Sequence, residues 1–115
     1  MPIDILQTAE IIEALENFML KRRPPLGMRS LVDLAYKIEN QSVFNFEIRP
    51  RWDNPNELFN SNIAKATFVK TQNHWDVFWM RSDLKWHKYQ PKPNVKTINE
   101  FVDLVAKDDH HCFWG

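Results

Sequence analysis

A chain of 115 residues with 43% apolar and 26% charged residues has the make-up of one folded domain, large enough to bury a core unaided. Only two glycines are present, which excludes a glycine-rich phosphate loop. A formal net charge of zero excludes the overall basic field behind nonspecific nucleic-acid binding, so any such binding needs a local patch.

The chain opens with Asp4 and Gln7 at capping-box spacing. Ile5, Leu6, Ala9, Ile11, Ile12, Leu15, Phe18 and Met19 then recur at helical spacing and predict the apolar side of a first helix. Glu10, Glu13 and Glu16 fall on its other side. Lys21, Arg22 and Arg23 complement the dipole at its end, and Pro24-Pro25 forbid continuation.

The period then changes from helical to two. Val32, Leu34, Tyr36 and Ile38 alternate with charged or small residues, and Phe44, Phe46 and Ile48 do the same over Val43 to Arg49. A three-residue turn, Asn40-Gln41-Ser42, aligns the two apolar rows by pairing Tyr36 with Phe46 and Leu34 with Ile48. A two-residue turn puts them on opposite faces, so the odd length is expected. A loop runs from Asp53 to about Asn60. Ile63 to Thr71 reads as a third strand and Trp75 to Arg81 as a fourth, joined by Gln72-Asn73, with Phe68 facing Val77 and Ala66 facing Trp79. Ser82-Asp83 turns the chain into a fifth strand, Leu84 to Tyr89, pairing Trp79 with Trp86 and Phe78 with His87. Pro91 and Pro93 stop it.

Thr97 and Glu100 mark a second capping box, and Ile98, Phe101, Val102 and Val105 form the stripe of a short helix. The expected fold is α+β: an antiparallel meander of about five strands with an N-terminal and a C-terminal helix on one face, residues 1–115 forming a single domain. Cys112 is the one cysteine, so no disulfide forms within the chain, which suits a reducing cytoplasm. A signal-peptide pattern and a membrane-length apolar run are both absent from the sequence, and the expected setting is cytoplasmic.

These registers gather Asp33, Lys37, Asn45, Glu47, Arg49, Lys65, Thr67, Lys85, His87 and Tyr89 on one polar face, with Phe78 beside them. Cations next to rings suit a nucleotide or single-stranded nucleic acid. The competing reading is an ordinary solvated sheet face laced with ion pairs. Arg49, Arg51, Lys65, Arg81 and Lys85 are the candidate phosphate contacts, with His87 nearby; Trp52 and Tyr89 are the candidate stacking residues; Glu47 orients an arginine. Trp75, Trp79 and Trp86 read as core.

Asp33 with Glu47-Ile48-Arg49 carries an alternative, a metal-dependent phosphodiesterase in which the two carboxylates hold the ion. Arg49 stands where such sites need a base, and arginine stays protonated. A structural Asp33–Arg49 pair is the simpler explanation. His110, His111 and Cys112 are possible zinc ligands, but adjacent side chains point apart and the spacing fits poorly. No cofactor is implied. Asp108 and Asp109 sit against the dipole at a helix C-terminus and call for a cation such as Arg51 or Lys85. A third reading is an interaction module, with exposed tryptophans gripping another protein or a second copy in a homodimer.

KRRPP at 21–25, FEIRPRW at 46–52, AKATFVKTQ at 64–72, WDVFWMRSDLKWHKYQP at 75–91 and CFWG at 112–115 together resemble the bacterial domain-of-unknown-function family 3024. The resemblance spans nearly the whole chain in order. It implies a bacterial origin and a shared fold, and brings no activity, ligand or catalytic residue with it.

Overall fold

The computed structural model describes residues 3–114. Helix α1 (Ile5–Arg22) begins at Asp4, whose side chain accepts the Gln7 backbone N–H at 2.8 Å while Gln7 reaches back to the Asp4 N–H at 3.5 Å. Six strands follow: β1 (Asp33–Glu39), β2 (Ser42–Pro50), β3 (Leu58–Val69), β4 (His74–Met80), β5 (Trp86–Lys88) and β6 (Asn94–Val95). Helix α2 (Ile98–Lys107) closes the chain, with Thr97 Oγ1 accepting the Glu100 N–H at 3.2 Å. The strands form one antiparallel sheet in the order β1-β2-β3-β4-β5. The short β6 pairs with the other half of β4, through Trp75 with Val95. Sequence periodicity missed β6 because two residues carry no period.

Both helices cover one face of this sheet, and one core lies between the layers. Ile11, Leu15 and Phe18 of α1 meet Leu34, Val43, Val77 and the α2 residues Ile98, Phe101 and Val105. Ala64 and Ala66 are wholly buried on the same face, where short side chains let a helix lie close. The buried side of α1 is narrower than its apolar pattern suggested. Ile5, Leu6 and Leu20 are exposed, and Ala14 is buried instead, opposite Val102 and Ala106 in the groove between the helices.

The turns decide which side chains share a face, and three of them differ from expectation. Asn40-Gln41 is a two-residue turn, so Glu39 pairs with Ser42, Tyr36 with Asn45 and Leu34 with Glu47. Asn40 adopts φ 54°, a left-handed conformation that asparagine tolerates better than most residues. The apolar rows of β1 and β2 therefore lie on opposite faces. The β3–β4 connection is longer than expected, because the strands stop at Val69 and restart at His74. That moves each pair by two residues and leaves every side chain on its expected face, with Phe68 opposite Trp75 and Ala66 opposite Val77. The β4–β5 turn runs from Arg81 to Lys85, closed by the Arg81 N–H to the Lys85 carbonyl at 3.3 Å. Its odd length reverses β5, so Met80 pairs with Trp86, Trp79 with His87 and Phe78 with Lys88.

Strand β3 also begins earlier than expected, at Leu58. It accompanies β2 as far as Pro50, beyond a bulge where Ile63 is the extra residue.

Candidate functional site

The registers place one residue of each strand in a row across the face that carries no helix. Lys37 stands opposite Phe44, Phe44 opposite Lys65, Lys65 opposite Phe78, and Phe78 opposite Lys88. Directly opposed residues on antiparallel strands project on one side, so lysine and ring alternate across five strands. Trp86, two residues before Lys88, projects on the same face and brings its ring within 6.0 Å of Phe44.

Lys65 is the centre of this arrangement. Its Nζ lies 4.5 Å from the Phe78 ring centre, 5.2 Å from Trp86 and 5.9 Å from Phe44. Among the described residues no carboxylate lies within ion-pair reach of it, and burial pulls its ammonium below the ordinary lysine value. The negative faces of the three rings supply the attraction that a carboxylate would otherwise give. The flanking lysines are arranged differently. Lys37 Nζ lies 5.0 Å from the Phe44 ring and 3.5 Å from Glu39; Lys88 Nζ lies 5.5 Å from Phe78 and 3.1 Å from Asp76. Asp76 also bonds His74 Nε2 at 3.0 Å. Phe44, Lys65, Phe78 and Trp86 are all half-buried, and Phe46, 9% exposed, continues the apolar row of β2 on this face.

Only Lys65 among the residues singled out as candidate contacts lies in this row. Asp33 and Glu47 project on opposite faces, since Asp33 pairs with Ile48 and Glu47 with Leu34. Asp33 is held by Arg23, and Glu47 accepts Arg49 Nε and Nη2 at 3.1 and 3.0 Å, so the expected Asp33–Arg49 pair does not form. Two carboxylates on opposite sides of a sheet cannot share one metal ion. Arg51 and Trp52 lie at the far end of the β2–β3 hairpin, with Arg51 paired to Asp53 at 3.0 Å and Trp52 95% exposed. Arg81 stacks on Trp79, its guanidinium carbon 5.5 Å from the ring, and Lys85 is exposed in the turn. His87 Nε2 meets Asp83 at 2.8 Å beside Trp79, on the helix side.

Tyr89 belongs to the core. It is 1% exposed, with its ring 4.8 Å from Phe113. His110 and His111 are exposed, Cys112 is half-buried, and among the described residues no three metal-ligating side chains converge. Asp108 needs no cation. It accepts the backbone N–H groups of Phe113 at 3.0 Å and Trp114 at 2.9 Å, folding the tail back over the end of α2. The reading from sequence missed Phe44, Trp86 and Lys88 as site residues. The signal was present in the turn chemistry of Asn40-Gln41, which aligns Phe44 with Lys37.

The chain is thus a two-layer α+β protein with two helices behind an antiparallel sheet whose other face carries lysines and aromatic rings. It belongs to the DUF3024 family: the family model described as a domain of unknown function matches residues 3–115. No curated protein and no solved structure matches it.

Proposed function

We propose that the helix-free face of the sheet binds an anionic ligand bearing aromatic rings, and that single-stranded nucleic acid is the class it fits. The observation behind this reading is the row Lys37–Phe44–Lys65–Phe78–Lys88, with Trp86 closing over its centre. Strands lie about 4.8 Å apart, so Phe44 and Phe78 stand about 10 Å apart with Lys65 midway between them. Bases stack on such rings without regard to sequence, while lysines between and beside them meet the phosphates. A duplex hides its base faces and is the poorer ligand. The balanced net charge argues for a local patch of this kind and against a general polyanion binder. Of the cations first singled out, Lys65 stays in the proposed contact set. Arg49, Arg51, Arg81, Lys85 and His87 serve their own intramolecular partners or turns. A cytoplasmic setting, where single-stranded RNA is available, is part of the proposal.

The metal-dependent phosphodiesterase reading lacks equal support, because Asp33 and Glu47 lie on opposite faces.

The test is fluorescence anisotropy with labelled mixed-sequence RNA and DNA single strands, with a duplex of the same length as control. Single strands bind more tightly than the duplex, and Phe78→Ala or Phe44→Ala weakens binding about tenfold. Binding that ignores both ring substitutions, or no binding to any strand at low salt, removes the proposal.

A further inference from the structure

We infer that the outer edge of β3 at Leu58–Asn62 is a self-association surface, and that two copies of this chain pair there about a two-fold axis. The inference does not depend on what the helix-free face binds. Strand β4 accompanies β3 only from Ala64 to Val69, whereas β2 accompanies it from Leu58 to Thr67. Among the described residues no strand pairs with the β4-side edge of Leu58–Asn62, so that edge presents backbone donors and acceptors to solvent. A bare edge is a template for another strand, and proteins that stay monomeric blunt such edges with charge, proline or cover.

The sheet's other two edges are blunted in this way. Strand β1 carries Asp33, Lys37 and Glu39, and the β5–β6 edge carries Lys88 and is interrupted by Pro91 and Pro93. The segment Leu58-Phe59-Asn60-Ser61-Asn62 has no charge and no proline. The hairpin behind it is electrostatically self-contained: Arg49 is matched by Glu47, and Arg51 by Asp53 and Glu57. Two copies therefore meet with no uncompensated like charge. Beside the edge stand the exposed side chains Trp52 and Phe59, which line one hollow, and Leu58, exposed on the opposite side of the strand.

A two-fold antiparallel pairing must bring one residue opposite its own copy. Centring on Asn60 places Asn60 against Asn60, Phe59 against Ser61 and Leu58 against Asn62, so the Phe59 rings of the two copies become diagonal neighbours on one face. A five-residue edge with so few apolar side chains falls at the small end of specific interfaces, below roughly 1,200 Å² of total buried area, and hence gives a weak, concentration-dependent dimer.

Sedimentation velocity from low micromolar to several hundred micromolar protein tests this. The wild type is expected to pass from monomer to dimer across that range. Asn60→Lys, a change at an exposed position, is expected to hold the protein monomeric by opposing like charges, and Asn60→Asp to do the same. An equimolar mixture of the two variants is expected to recover the dimer, which also shows that both variants fold. A wild type that stays monomeric throughout, an Asn60→Lys variant that associates like the wild type, or a mixture that fails to recover the dimer overturns the inference.

Discussion

Arg23 donates two hydrogen bonds to the carboxylate of Asp33, from Nε at 2.8 Å and Nη2 at 2.9 Å, and so ties the end of α1 to the start of β1. These bonds, helped by the Leu34 N–H, hold the Asp33 carboxyl at about 2 against an ordinary value of 3.8. A carboxyl whose pKa is depressed by folding stabilises the fold above its unfolded value and loses that contribution as pH falls through its folded value. Urea midpoints of wild type and Asp33→Asn should therefore differ at pH 6, with the wild type more stable. The gap should close as pH falls from 3.8 toward 2. A gap that persists unchanged at pH 2 would show that the carboxylate charge is not its cause. Solvent exposure of Arg23 keeps the effect small.

Asn45 is 1% exposed, and its Oδ1 has no partner; its Nδ2 makes only a long 3.4 Å bond to the Ala35 carbonyl. Leu15, Phe18, Phe101 and Val105 surround it. A buried acceptor left unpaired costs about 1–3 kcal/mol. Replacement by valine removes that cost and suits a strand, so Asn45→Val should raise the melting temperature by about 3–6 °C. An unchanged or lower value by calorimetry would mean that the amide contributes more than its one bond.

Leu84 adopts φ 61° in the β4–β5 turn while 81% exposed. A left-handed leucine costs roughly 1 kcal/mol, and exposure leaves little packing to offset it. Leu84→Asn should gain about 0.5–1 kcal/mol in urea unfolding. A loss of stability instead would show that the leucine covers apolar surface in solution.

Three lysines in the helix-free row set the salt response of the proposed complex. Releasing counterions from about three phosphates of a single strand gives a slope near −2 for log K against log salt. Lys65→Met should reduce it by about 0.7. A slope left untouched by that change would place the phosphate contacts elsewhere.

Much of the fold follows from local chemistry that the sequence carries openly. Asp4 with Gln7 and Thr97 with Glu100 mark both helix starts, Pro24-Pro25 marks an end, and strands β1 to β4 announce themselves by alternation. The candidate face was harder to read because it depends on turn length, which is a parity. Aligning Phe44 and Phe46 with Leu34 and Tyr36 is the sensible choice if every apolar residue seeks the helices. This sheet instead puts apolar rows on both faces, Leu34 and Val43 toward the helices, Phe44 and Phe46 away from them. The same effect moved Tyr89 from site to core and Trp86 from core to site, since the turn at Leu84 is odd in length. The partners of Asp108, two amides in the tail, lie beyond any charge pattern in the chain.

The placement of the five tryptophans also gives the protein an optical handle. Trp75 is sealed in the core, Trp79, Trp86 and Trp114 are half-covered, and Trp52 alone stands in water. Its emission is the red-shifted share of the spectrum and the share that iodide reaches first. Contact at the tip of the hairpin should shift that share to the blue, while a ligand on the helix-free face alters Trp86, so the two events report through different parts of one spectrum.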